Sequence, residues 1–135
     1  MFGVSSMTAP LKKVAVMKPG DSLINADPVK WHYGPLFDPN KVVEVHNHFV
    51  EILEDSGAEV YWMAENELEI ADSVFTYDAS LMTPKGAILM SPGKLLRKGE
   101  QSIHKSFYEN QNIPIIGNVE SDGRAEAGDT LWLDH

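Results

Sequence analysis

Two carboxylates six residues apart, Asp72 and Asp78, are the residues of this chain whose placement most needs a chemical reason. They interrupt an apolar, strand-like stretch that continues through Val74 to Met82 and returns as Ala87 to Met90 after a Pro84-Lys85-Gly86 turn. An ionised carboxylate is expensive to bury without a partner, so a strand that keeps Asp78 between Tyr77 and Ala79 has to supply a cation. On an unbroken strand the two acids would share a face but stand about 20 Å apart, too far for a carboxylate dyad. The arrangement expected instead has one acid at the strand end and the other deeper, near Lys94 or Arg97. Two readings follow. Asp78 pairs with Arg97 and anchors the start of the next helix, or it receives a cation from outside the chain. Glu126-Ala127-Gly128-Asp129 is a second acidic group, readable as a site or as an ordinary turn, with Gly128 permitting a tight backbone path.

Other chemistry is excluded or unsupported. The chain has no cysteine, which removes disulfides, thiolate metal ligands and thiol nucleophiles. His46 and His48 fall on a predicted helix, where a two-residue spacing separates them by about 200°, so they read as surface and boundary histidines and not as a ligand pair. His32, His104 and His135 show no metal-site spacing, and the glycines lack phosphate-loop or dinucleotide spacing, so no metal and no cofactor is expected; a metal hydrolase using Asp72, Asp78 and a histidine is a third reading that spacing does not support.

The elements that would hold the acids can be read along the chain. At 135 residues and 43% apolar content, one compact domain with a real core is expected over 11–135, preceded by a loose tail over 1–10. Twenty acidic against eleven basic residues give a formal charge of −9, which disfavours nucleic acid and anionic lipid and favours cationic small molecules. No apolar run approaches the roughly 18 to 20 residues of a membrane span, and the start lacks a signal-peptide pattern, so a soluble cytoplasmic protein is expected. Lys12 to Lys18 reads as a strand, Asp21 to Phe37 as an aromatic-containing loop without a period, and Asp38 to Asp55 as a capped helix. Val42, Val45, Phe49, Ile52 and Leu53 form its apolar face. Ala58 to Met63 is a strand, followed by an acidic run at Glu65, Glu67 and Glu69. After the hairpin come an amphipathic segment from Leu95 to Asn110, an edge strand from Ile113 to Gly117 and a further strand from Thr130 to Leu133.

Helix, break and strand therefore occur twice, as Asp38 to Met63 and as Leu95 to Gly117. The unit is strand, strand, helix, strand, roughly 50 residues long, and two units plus the opening strand of a third are expected. That last strand would expose Leu131, Trp132 and Leu133 and could pair two copies into a homo-oligomer.

Taken together, Asp72 to Asp78, Ala87 to Gly93, Arg97 to Glu100 and Glu126 to Leu131 resemble the N-terminal half of the guanidino-modifying enzymes. This superfamily includes dimethylarginine dimethylaminohydrolase, arginine deiminase and glycine amidinotransferase. The resemblance implies an α/β fold, a partial pentein of about two and a half strand-strand-helix-strand modules. It implies that Asp78 receives a substrate guanidinium, that Asp72 contacts substrate nearby, and that Arg97 holds the substrate carboxylate or the acids of the site. Glu126 would orient a catalytic histidine. Tyr77 stands where the methylarginine hydrolases often carry a second carboxylate. The family's histidine and nucleophilic cysteine come from later modules, so this chain is expected to bind arginine-like molecules without turning them over. A non-catalytic binding or assembly module is the alternative.

Overall fold

The computed structural model describes residues 2–64 and 69–133, so Glu65 and Glu67 of the acidic run lie outside the described residues. The chain divides into two compact units, Leu11–Phe75 and Thr76–His135, the latter joined by Met1–Pro10.

The first unit is built on strands β1 (Lys13–Val16) and β2 (Glu59–Trp62), paired in parallel with Lys13 opposite Glu59 and Val16 opposite Trp62. Parallel neighbours need a crossover, and helix α2 (Pro39–Asp55) supplies it. Its start follows from the sequence: Asp38 accepts a hydrogen bond from the Asn40 amide at 3.0 Å, and Pro39 loses nothing at a position where its missing N–H would have been unpaired. The residues before it are not a plain loop. Asp21–Ile24 forms a single helical turn, α1, that buries Leu23, and Trp31 is buried further along. The expected inward face of α2 is corrected too. Val45, Phe49 and Ile52 are exposed, while His46 and Val50 are the buried residues. The apolar stripe is wider than the contact it makes, and the core lies along one flank of it. His46, expected near the surface, is buried against Phe49 and Trp62; its Nδ1 has no hydrogen-bond partner among the described residues.

In the second unit, β3 (Ser80–Thr83) and β4 (Gly86–Leu89) form a two-residue hairpin, and α3 (Glu100–Asn110) returns the chain to β5 (Ile115–Asn118), parallel to β4. This is the strand, strand, helix, strand unit in full, with sheet order β3-β4-β5. Gly86 sits at φ +149°, and a Cβ there would collide with the Pro114 carbonyl, so the hairpin can pass β5 only at a glycine. Ala87, Leu89 and Tyr108 make the buried core, flanked by Met82, Phe107, Ile113 and Ile115.

Three expectations fail here. The strand drawn from Val74 is absent up to Ala79: Ala71–Val74 is a 3-10 turn, and β3 begins only at Ser80, so neither Asp72 nor Asp78 lies in a strand. The helix drawn from Leu95 is a 3-10 turn, Leu95–Arg97, separated from α3 by Gly99 at φ +110°. Thr130 to Leu133 is not a strand; the chain makes a 3-10 turn at Ala127–Asp129 and then runs without ladder pairing, Leu131 and Leu133 exposed. In the two strand cases apolar alternation was present, but among the described residues no ladder forms there to turn it into sheet.

Candidate functional site

Arg97 is the centre of the site. Its guanidinium is 6% exposed, and its bonds include three charge-assisted hydrogen bonds of 2.8 Å each. Nε and Nη2 fork onto the two oxygens of Glu100, and Nη1 donates to Oδ2 of Asp78. The local backbone makes this possible. Gly99, in a left-handed conformation closed to most side chains, turns the chain between Arg97 and α3 so that Glu100 in the first helical turn faces back onto the guanidinium. Burial opposes the charge on Arg97, and the bonds to Glu100 and Asp78 outweigh it, raising the pKa above its ordinary value. The ion pair expected between Asp78 and Arg97 is present; its third member, Glu100, was not foreseen.

Asp78 is tied from a second direction. Its backbone carbonyl accepts from the Ala127 amide at 3.0 Å, and a Cβ at Gly128 would stand 3.1 Å from its Oδ1. Oδ1 takes no hydrogen bond among the described residues, and the side chain is 26% exposed. Glu126 opens the turn that follows: its side chain accepts from the Gly93 amide at 2.9 Å, and its own amide donates to Asp129 in a reciprocal cap. The structure therefore brings Asp78, Arg97 and the Glu126 turn together in the second unit. Asp72 belongs to the first unit, where it is buried and accepts a 2.6 Å hydrogen bond from the Tyr33 hydroxyl.

Behind Arg97, α3 buries a polar row at one-turn spacing, Glu100, His104 and Tyr108. Ser80 Oγ on β3 joins the last two, 2.9 Å from His104 Nδ1 and 2.6 Å from Tyr108 Oη. Burial, and then the neighbouring Arg97 charge, push the His104 pKa down to about 4, so the imidazole is neutral at pH 7. The signal that could have found this row was the i, i+4, i+8 spacing itself. It was obscured because a buried face is sought among apolar residues, and here Ile103 and Phe107 beside it are only half-buried. Among the described residues no group of three or more potential ligands is placed to hold a metal ion.

The second unit is one complete strand, strand, helix, strand unit, the repeat expected of a pentein, and the comparisons agree on that fold. The chain is 30% identical over 99 residues to the N(G),N(G)-dimethylarginine dimethylaminohydrolase of Pseudomonas aeruginosa, an overlap of 73% of this chain and 39% of that protein. Its fold matches a crystal structure of dimethylarginine dimethylaminohydrolase in an adduct with 4-chloro-2-hydroxymethylpyridine, with a TM-score of 0.70 and 28% identity over 88% of this chain and 44% of the other. A cysteine-to-serine variant of the Pseudomonas aeruginosa enzyme, complexed with citrulline, matches at TM-score 0.72 and 27% identity over 88% and 46%. The N-terminal domain of ArgZ, a cyanobacterial arginine dihydrolase bound to product, shares the fold at TM-score 0.73 with 19% identity, over 88% of this chain and 44% of that one. No family model matches the sequence. The chain has the fold of a partial pentein and is similar in sequence to an enzyme of the guanidino-modifying superfamily, and it spans less than half the length of the relatives it matches.

Removing one partner of a buried ion pair leaves an uncompensated charge. Glu100→Gln is therefore expected to lower unfolding free energy by about 3 to 5 kcal/mol in urea titrations, and Asp78→Asn, at a partly exposed position, by less. His104 gives a pH dependence with a fixed sign. Its folded-state pKa lies below the ordinary value of 6.5, so on acidification the unfolded chain takes the proton first. Stability is fully present above pH 6.5 and falls as the pH approaches 4, by roughly 3 kcal/mol in total. His104→Gln should flatten that slope, measured by urea unfolding across this range; the lowered pKa of His46 leaves a residue of the same sign.

Proposed function

We propose that this chain forms the cation-receiving part of a guanidino-modifying pentein, with Asp78 as the carboxylate that accepts the guanidinium of an arginine-like molecule. The observation that carries the reading is the state of Asp78: one oxygen is pinned by Arg97 at 2.8 Å, and the other takes no hydrogen bond among the described residues. A carboxylate held in this way can meet a planar cation without first giving up mobility. Arg97 acts as the positioning residue for Asp78. Glu126, a hydrogen-bond acceptor on the adjacent turn, is suited to hold a histidine in its working tautomer when one is supplied. Asp72, in the other unit, is proposed from the resemblance alone as a further substrate contact. In this chemistry a thiolate attacks the guanidinium carbon, an amine leaves with a proton from histidine, and the thiouronium is hydrolysed or passed on. These 135 residues contain no cysteine, so the covalent step has no nucleophile here.

A second reading, a non-catalytic binding or assembly module, draws on the exposed apolar side chains of Leu131 and Leu133. Without the strand once expected there, pairing would be by side-chain packing, and a solution mass of twice the 15.0 kDa chain would favour it.

Calorimetric titration with arginine, N-methylarginines and citrulline separates the readings. Saturable binding of the cationic ligands, weakened at least about tenfold in folded Asp78→Asn, is expected, with no citrulline released from any of them. Citrulline release by the cysteine-free chain would contradict the thiol-dependent reading, and equal affinity for the variant would contradict the role of Asp78.

A further inference from the structure

One flank of α2 carries an apolar seam that faces water. Val42, Val45, Phe49 and Ile52 recur at steps of three, four and three residues, the spacing with which a helix presents a narrow stripe to a second helix. The stripe runs beside the core-facing residues of α2, His46 and Val50, and does not include them. Val45, Phe49 and Ile52 are 64%, 50% and 54% exposed. Trp62, at the end of β2, is 49% exposed. Its ring and that of Phe49 both lie against the buried His46, with centroids 6.1 and 6.4 Å away, so the stripe continues onto the strand. These side chains leave apolar surface on the order of 400 Å² in water, about half of what one partner gives to a standard interface.

The charges beside the stripe select its occupant. Lys41, His48 and Asp55 follow one another at seven-residue steps along the edge away from the core, and all three are exposed. That edge is basic where the helix begins and acidic where it ends, with Glu54 adding to its last turn. Two copies of α2 laid antiparallel about a two-fold axis near Asn47 place Val42 of one against Ile52 of the other and Val45 against Phe49. The same operation sets Lys41 against Asp55, and symmetry makes each contact twice. Lys41 reaches Asp38 of its own chain only at 3.9 Å, beyond hydrogen-bond distance, so it can turn to a carboxylate of the second copy. Antiparallel helix dipoles attract, whereas a parallel pair would set like ends together. Glu44 and Glu51 stand more than 100° round the helix from the stripe, by about 100° per residue, and leave it uncharged.

We propose that α2 is the contact helix of a symmetric dimer of this chain, two copies packing antiparallel through Val42, Val45, Phe49 and Ile52 with Trp62 at the border. The contact lies in the first unit, uses neither Asp78 nor Leu131 and Leu133, and does not depend on whether the chain receives a guanidinium.

Sedimentation equilibrium of the 135-residue chain over a wide range of concentration tests it. The mass is expected to rise from 15.0 kDa to twice that value. Phe49→Glu alters an exposed side chain, so its circular dichroism and urea midpoint should match the parent's while dimerisation weakens at least about thirtyfold. Lys41→Glu should weaken it by about threefold, and Lys41→Glu/Asp55→Lys, which reverses the pair in both copies, should restore it. Leu131→Ser/Leu133→Ser should associate as the parent does. A mass of 15.0 kDa at every concentration would overturn the proposal and leave the stripe to a different partner. Dimers that survive Phe49→Glu, that dissociate in Leu131→Ser/Leu133→Ser, or that the charge reversal weakens further would overturn it as well.

Discussion

A guanidinium taken out of water costs several kcal/mol unless its hydrogen bonds and its charge are both answered, and in the second unit that requirement falls on Arg97. Asp78 and Glu100 answer it, and each brings a different stretch of chain with it. Glu100 fixes where α3 begins; Asp78 fixes the turn into β3; the Asp78 carbonyl in turn receives the Ala127 amide and sets the Glu126 turn against it. His104 one turn along α3 must stay neutral beside that cation, and its bond to Ser80 carries the constraint into the sheet. The apolar core of this unit is small, so position is specified by a polar network with little freedom to rearrange.

Much of the architecture was legible in the sequence because it is written in local chemistry. The Asp38-Pro39 cap, the Pro84-Lys85 turn before Gly86 and the edge position of the Pro114 strand each follow from what one or two residues can do with their own backbone. What was misread depended on distant partners. Val74 to Ala79 and Thr130 to Leu133 have strand composition but no adjacent strand, and α2 carries more apolar surface than its unit covers. The site divides along the same line. Asp78 with Arg97 could be foreseen because a buried acid demands a cation. Glu100 and the Tyr33 partner of Asp72 could not, because a charged residue at a helix start and an aromatic in an irregular segment both read as surface.

The electrostatic layout bears on function. Fixing one oxygen of Asp78 against an internal cation removes the side chain's freedom to turn away, which a receptor for another cation can exploit. Arg97 also lines a cleft with Lys94, Lys98, Arg124 and Glu120, so basic side chains of an acidic protein gather within one unit. Charge is sorted locally even though the total is −9.

The claim on which all of this rests is that Arg97 is buried and fully paired. The chain has two arginines, Arg97 and Arg124, so nitrogen-15 NMR of their side chains compares them directly in one sample at neutral pH. The account predicts resolved Nε and Nη protons for Arg97 that exchange with water far more slowly than those of Arg124, and loss of that protection in folded Asp78→Asn at the Nη1 protons alone. Exchange from Arg97 as fast as from the exposed Arg124 would contradict it.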